Sequence, residues 1–270
     1  MKNVKFKPIY SLIVALCVVM LLFEIPVLKT LPITADKAYN RLICRSIPLL
    51  AGCIAVYLLS VEMGLKLFQK PQNLWCLAIA GVVALNNFPW IAWLSDKMQL
   101  IHTEPLHFVL FGIYCGLVGL FEEIVFRGIC FSLLVSYFER TKKGFIWVYV
   151  LSSLIFGGMH LLNVFQSGVE AVLQAGYSIL TGGLFAFVWI KTKNILFPAL
   201  IHAVYNFCGL LYTKDVGLGL GSVIDLPTGI MMAIIAVICG VFVLISVWKY
   251  PKSERIELYS RLGLEYTKNP

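Results

Sequence analysis

Charge is scarce in this sequence. Only 13% of its 270 residues are Asp, Glu, Lys or Arg, while 60% are hydrophobic and mean hydropathy is +0.87. So few charges cannot cover a soluble domain, which excludes that class and leaves an integral membrane protein. The eight cysteines, Cys17, Cys44, Cys53, Cys76, Cys115, Cys130, Cys208 and Cys239, contain no CxxC pair and no regular spacing. Nearly all fall in apolar runs, so they read as free, buried thiols acting as small hydrophobes. No basic patch is interleaved with aromatics, and the net charge of +8 therefore reads as topogenic Lys and Arg in membrane loops, with no nucleic-acid partner. Internal repeats and low-complexity tracts are also missing, so residues 1–270 read as a single integral membrane domain. Lys2, Lys5 and Lys7 precede an apolar stretch from Ile9 to about Phe23, but no A-x-A site follows. A retained first transmembrane helix is expected there, not a cleaved signal peptide.

What the sequence has in quantity is long apolar runs. Eight candidate spans fall at about 9–28, 47–68, 74–94, 106–137, 145–163, 172–190, 195–212 and 230–248, giving an all-α polytopic fold in contact with the lipid bilayer. Between them lie polar breaks such as Pro32 to Arg45, Ser95 to Lys97, Lys191 to Asn194 and Lys214 to Pro227. With the N-terminus inside, the inner segments hold 15 Lys and Arg and the outer loops hold 6, which predicts that both termini face the cytoplasm. The exception is the first outer loop, with Lys29, Lys37, Arg41 and Arg45. In the tail, Ile256, Tyr259 and Leu262 recur at helical spacing among charges, which fits either a helix lying on the inner surface or a solvated tail.

The few intramembrane charges are concentrated. Glu122, Glu123 and Arg127 sit in the middle of the run from Leu106 to Tyr137. Ionisable groups at that depth cost roughly 2.5–3.5 kcal/mol each to insert, so they mark a functional site. Glu123 and Arg127 are four apart on one helical face and can pair, leaving Glu122 about 100° round the axis and free. Further polar groups are His160, His202 and Asn206, the last two four apart. Counted at ~1.5 Å per residue from the inner ends of their spans, Glu122 and His160 lie about 24 and 22 Å deep, Asn206 about 17 Å and His202 about 10 Å. One intramembrane cavity could hold them all. A lone buried His or Asn is most often interhelical glue worth about 0.6 kcal/mol. Glue alone would not need acid and base together. His102 and His107 sit at the Ser95 to Pro105 loop and read as interfacial, Glu24 as snorkelling, and Gly157, Gly158, Gly182, Gly183 and Ala199 as close-packing positions.

A buried carboxylate near neutrality suits a general base for water, with His160 sharing the proton and His202 and Asn206 as oxyanion donors. That chemistry is peptide hydrolysis in the membrane without a cofactor. A zinc site built from Glu122, His160 and His202 is the alternative; it asks for an acceptor behind each histidine, which the sequence does not supply once Glu123 is given to Arg127. HExxH, GxGD and GxSG are all missing, which disfavours the mechanisms those motifs carry.

Glu122-Glu123-x-x-x-Arg127, Phe156-x-x-x-His160 and His202-x-x-x-Asn206, with the text from Leu180 to His202, resemble the CAAX protease and bacteriocin-processing (CPBP, or Abi) family of intramembrane proteases. The resemblance covers about residues 106–212, the expected catalytic core. It implies an eight-helix fold with the site inside the bundle. It also implies Glu122 and His160 as water activators, His202 and Asn206 as the oxyanion hole, and Glu123 and Arg127 in support. The substrate class implied is a peptide or a membrane-anchored protein, as in bacteriocin processing. The short loops resemble bacterial members, for which a prenylated substrate is not expected. A non-enzymatic immunity or scaffold protein of the same fold is the competing class, against which the complete motif set argues.

Overall fold

The computed structural model describes residues 32–138, 141–164, 168, 170–214, 217–221 and 226–261. The first expected span, Glu24, Cys17 and Leu262 lie outside the described residues. The chain is all helical there, with α1 (Lys37–Glu62), α2 (Cys76–Asn86), α3 (Trp90–Leu94), α4 (Pro105–Tyr137), α5 (Lys142–Asn163), α6 (Glu170–Thr192), α7 (Leu196–Leu210), α8 (Leu226–Trp248) and α9 (Lys252–Arg261). Five of these, α1, α4, α5, α6 and α8, are long and apolar enough to cross a bilayer, as in a multi-pass membrane protein. Not every expected span is a full one. Helices α2 and α7 have 11 and 15 residues, so they rise only about 16 and 22 Å against a hydrocarbon core of about 30 Å.

Two expected boundaries move for identifiable reasons. The helix expected at 47–68 begins ten residues earlier and ends at Glu62. Asp36 caps it by accepting from the N–H groups of Ala38 and Tyr39, so Lys37, Arg41 and Arg45 belong to its first turns and not to a loop. The run at 74–94 is broken after Asn86, where Pro89 lacks a backbone donor and Asn87 donates its side-chain amide to the carbonyl of Tyr205 at 2.8 Å.

Helix α6 lies in the centre and α8 at the periphery: 56% of the α6 span is buried against 11% of α8. Outward-facing Leu50, Ile54, Leu58 and Val61 on α1, with Ile234, Val237 and Val241 on α8, give the apolar exterior that lipid requires. The helices that carry the polar groups touch backbone to backbone. A Cβ on Gly119 would lie 2.6 Å from the carbonyl oxygen of Ala199, so α4 meets α7 without intervening side chains, and one on Gly157 would run into the Ile179 side chain and lie 2.8 Å from the Ala175 carbonyl oxygen, so α5 and α6 are also closely packed. Gly158, also expected at such a contact, faces open space. The described cysteines are free, with Cys44, Cys53, Cys76, Cys115 and Cys208 buried and Cys130 and Cys239 half-buried.

Polar contacts gather at the two ends of α1. At its start, Tyr39 donates to Glu104 at 2.6 Å, Arg41 donates to the carbonyl of Lys214, and Ile101 N–H to that of Leu218. Beyond its other end, Ile195 N–H donates to Leu67 O and Gln72 N–H to Thr192 O. Helix α9 packs onto this second end, with Leu258 and Tyr259 buried and with Lys191–Glu254 and Lys193–Glu257 ion pairs at 3.2 and 2.7 Å. The tail is therefore an integral cap, and a solvated tail is excluded over Lys252–Arg261. Tyr250 donates to the Ile190 carbonyl, and burial pushes its hydroxyl pKa up.

Candidate active site

Helix α4 changes pitch at the point where its charges sit. After Glu123 the chain enters a wide turn over Ile124–Cys130, shown by the Phe131 N–H donating to Phe126 O, before regular helix resumes at Phe131. Such π-type turns are rare and recur at functional sites. Here the wide turn carries Arg127 into the protein while Glu122 and Glu123 remain on the preceding regular turn.

Arg127 and Glu123 are completely buried and paired, Nη1 to Oε1, at 3.0 Å. The guanidinium also donates through Nη2 to the carbonyl of Gly182 on α6 at 2.9 Å and lies 4.2 Å above the Phe156 ring and 5.5 Å above that of Phe185. Two hydrogen bonds and two aromatic faces replace part of the water that this cation gave up, and Nε is left without a partner.

The pair is not self-contained. Glu123 Oε1 also accepts from His202 Nδ1 at 3.0 Å, so one carboxylate oxygen binds α4 to α7. That bond leaves Nδ1 as donor and turns Nε2 toward Glu122, whose Oε2 lies 3.7 Å away. The imidazole is nearly parallel to Phe185 at 4.6 Å and edge-on to Phe156 at 5.8 Å. Glu122 itself is half-buried; its Oε2 is shielded from solvent and has no hydrogen-bond partner. The sequence reading thus separates the two glutamates as the structure does, but it misses that His202 faces both.

His160 closes α5, where the regular helix gives way to a tighter turn over His160–Asn163. Its Nδ1 donates to the Phe156 carbonyl at 2.9 Å, which leaves the lone pair on Nε2. Phe156 contacts both imidazoles edge-on, at 5.1 Å from His160 and 5.8 Å from His202. No hydrogen bond or ion pair joins His160 to Glu122 among the described residues. Asn206 is half-buried one turn beyond His202 on α7. Glu122, Glu123, Arg127 and His202 are in direct contact or close to it, whereas His160 reaches the group only through Phe156.

Phe185 and the Gly182 carbonyl also belong to the site, and the sequence analysis did not single out either role. Phe185 follows Gly182 by three on α6, but an aromatic at helical spacing in an apolar run looks like any core residue.

Residues 104–208 match the family described as Type II CAAX prenyl endopeptidase Rce1-like. These residues form a CPBP-family domain. The matched stretch of this CPBP domain takes in Glu122, Glu123, Arg127, His160, His202 and Asn206, and at the family level it supports an intramembrane endopeptidase. No curated protein and no solved structure matches the chain.

For zinc, the histidines of the CPBP domain meet one requirement and miss another. The acceptors that the sequence analysis found wanting are present, since Nδ1 of His202 donates to Glu123 and Nδ1 of His160 to Phe156 O. Glu122, His160 and His202 do not, however, bring three ligand atoms within 4.8 Å of one another; among the described residues only Asp36, His102 and His107 do so.

Proposed function

We propose that this CPBP domain hydrolyses a peptide bond of a peptide or membrane-anchored protein with a water activated by Glu122. The observation that carries the proposal is the Glu122 carboxylate, whose Oε2 is buried, unpartnered and 3.7 Å from His202 Nε2, while its neighbour Glu123 is tied through Oε1 to both Arg127 and His202. Glu122 takes a proton from water, and the hydroxide adds to the carbonyl carbon. His202, with a proton on Nε2 as well as Nδ1, and the Asn206 amide donate to the resulting oxyanion. With His202 so charged, Glu122, Glu123, Arg127 and His202 sum to zero, which limits the cost of holding them in an apolar bundle. His160, with its lone pair on Nε2, receives the proton from Glu122 and passes it to the leaving nitrogen as the C–N bond breaks, giving a free carboxylate and an amine. This relay requires His160 to approach Glu122 when substrate binds. Peptidomics of cells producing wild type or Glu122→Gln tests the reading: products found only with wild type support it, and identical product sets refute it.

A zinc-dependent variant of the same hydrolysis is the second reading, favoured by the acceptors behind His160 and His202. Closing the ligand atoms of Glu122, His160 and His202 around one ion would take side-chain movement. A strong chelator separates the two: full activity after chelation supports the glutamate–water mechanism, and loss restored specifically by zinc supports the metal.

A further inference from the structure

The end of the bundle where α1 and α4 begin contains a second cluster of ligating side chains, independent of the membrane-buried charges. His107 is 3% exposed, and neither ring nitrogen has a hydrogen-bond partner. A buried imidazole with both nitrogens unmet is costly, by roughly 1–3 kcal/mol for each unsatisfied group. The ring is nonetheless firmly held: it stacks on Tyr39 at 4.0 Å with 14° between planes and lies 4.8 Å from the His102 ring.

Asp36 points its free oxygen at this ring. Its Oδ1 is occupied by the Ala38 and Tyr39 N–H groups at the start of α1, while Oδ2 lies 3.6 Å from His107 Nε2, beyond hydrogen-bond range. His102 comes from the loop before α4, and its backbone is anchored by donating to Leu218 O at 3.1 Å. Nearby, Tyr39 binds Glu104 at 2.6 Å, so that carboxylate is held beside the cluster. One ligand atom each from Asp36, His102 and His107 lies within 4.8 Å of the other two.

We propose that Asp36, His102 and His107 bind a divalent transition-metal ion of the zinc type, joining the start of α1 to the start of α4 and the loop before it. Two imidazoles and one carboxylate suit this borderline-soft ion and leave a fourth position for water. Ligand atoms of a tetrahedral site with bonds of 2.0–2.1 Å stand about 3.3 Å apart. The Asp36–His107 pair is already near that spacing at 3.6 Å, and rotation of the less buried His102 and Asp36 side chains closes the rest. The metal would satisfy one nitrogen of His107, which no protein group does.

The test uses the full-length chain, purified in detergent with any affinity tag removed and freed of metal by chelation and dialysis. Zn2+ is titrated by calorimetry, Co2+ by its visible absorption, and Tm is followed with and without Zn2+. Saturable binding of a single equivalent, tetrahedral-type Co2+ bands and a Zn2+-dependent rise in Tm are expected. Asp36→Asn, which keeps the helix-capping oxygen, and His102→Ala, which alters a less buried side chain, both leave the Tyr39 stack on His107 in place. Each should weaken Zn2+ binding by more than the roughly 10- to 100-fold that losing a hydrogen-bond partner of a ligand costs. Glu122→Gln and His202→Ala should leave binding unchanged. Absence of saturable binding overturns the proposal, as does binding that survives the Asp36→Asn/His102→Ala double change or is lost through Glu122 or His202.

Discussion

Glu123 holds together more of this site than its place beside the proposed base suggests. One of its oxygens serves both Arg127 and His202, so replacing it disturbs an ion pair and an imidazole at once. Glu123→Gln is expected to leave the buried guanidinium uncompensated, at a cost of roughly 3–5 kcal/mol. The measurement is folded yield by size-exclusion chromatography in detergent with Tm alongside, and a wild-type yield and Tm would contradict the pairing argument. The pair itself was legible in the sequence because its members are four apart in one helix. The His202 bond was not, because it joins residues 79 apart and depends on how α4 and α7 dock. Two unequal glutamates were therefore readable, but the partner they share was not.

At the scale of elements, the close approach of α4 and α7 sets the distance between Glu122 and His202. Gly119 permits that approach, one turn before Glu123. Gly119→Val would drive its side chain into the Ala199 carbonyl and force the helices apart, with an expected destabilisation of about 1–3 kcal/mol. Activity should fall by more than the loss of folded protein explains, since the 3.7 Å Glu122–His202 spacing opens as well. Thermal unfolding and specific activity per folded molecule check both parts. Gly116, one turn earlier, has open space where its Cβ would sit, so Gly116→Ala is the control and should behave as wild type. Hydropathy located the long apolar elements, but it could not see three local features. The Asp36 cap starts α1 earlier, Asn87 and Pro89 split the third run, and α4 takes a wide turn over Ile124–Cys130.

At the scale of the whole molecule, the loops fall into two polar groups, one at each end of α1. Residues 36–41, 101–107, 214 and 217–219 meet at one end, and residues 67–72, 191–195 and 250–259 at the other. The excess of 15 over 6 basic residues in the sequence is expected to put the second of these ends in the cytoplasm. Reporter fusions after Asn163 and after Pro270 should therefore report opposite compartments, the second cytoplasmic. The same compartment for both would contradict the orientation. The central claim, hydrolysis by a Glu122-activated water, is tested most directly in proteoliposomes with a substrate identified by peptidomics, in 18O-labelled water. Wild type should place the label in the new carboxylate, and Glu122→Gln should lower the rate by about 10²- to 10⁴-fold at unchanged Tm. A Glu122→Gln protein that cleaves at the wild-type rate would contradict the account.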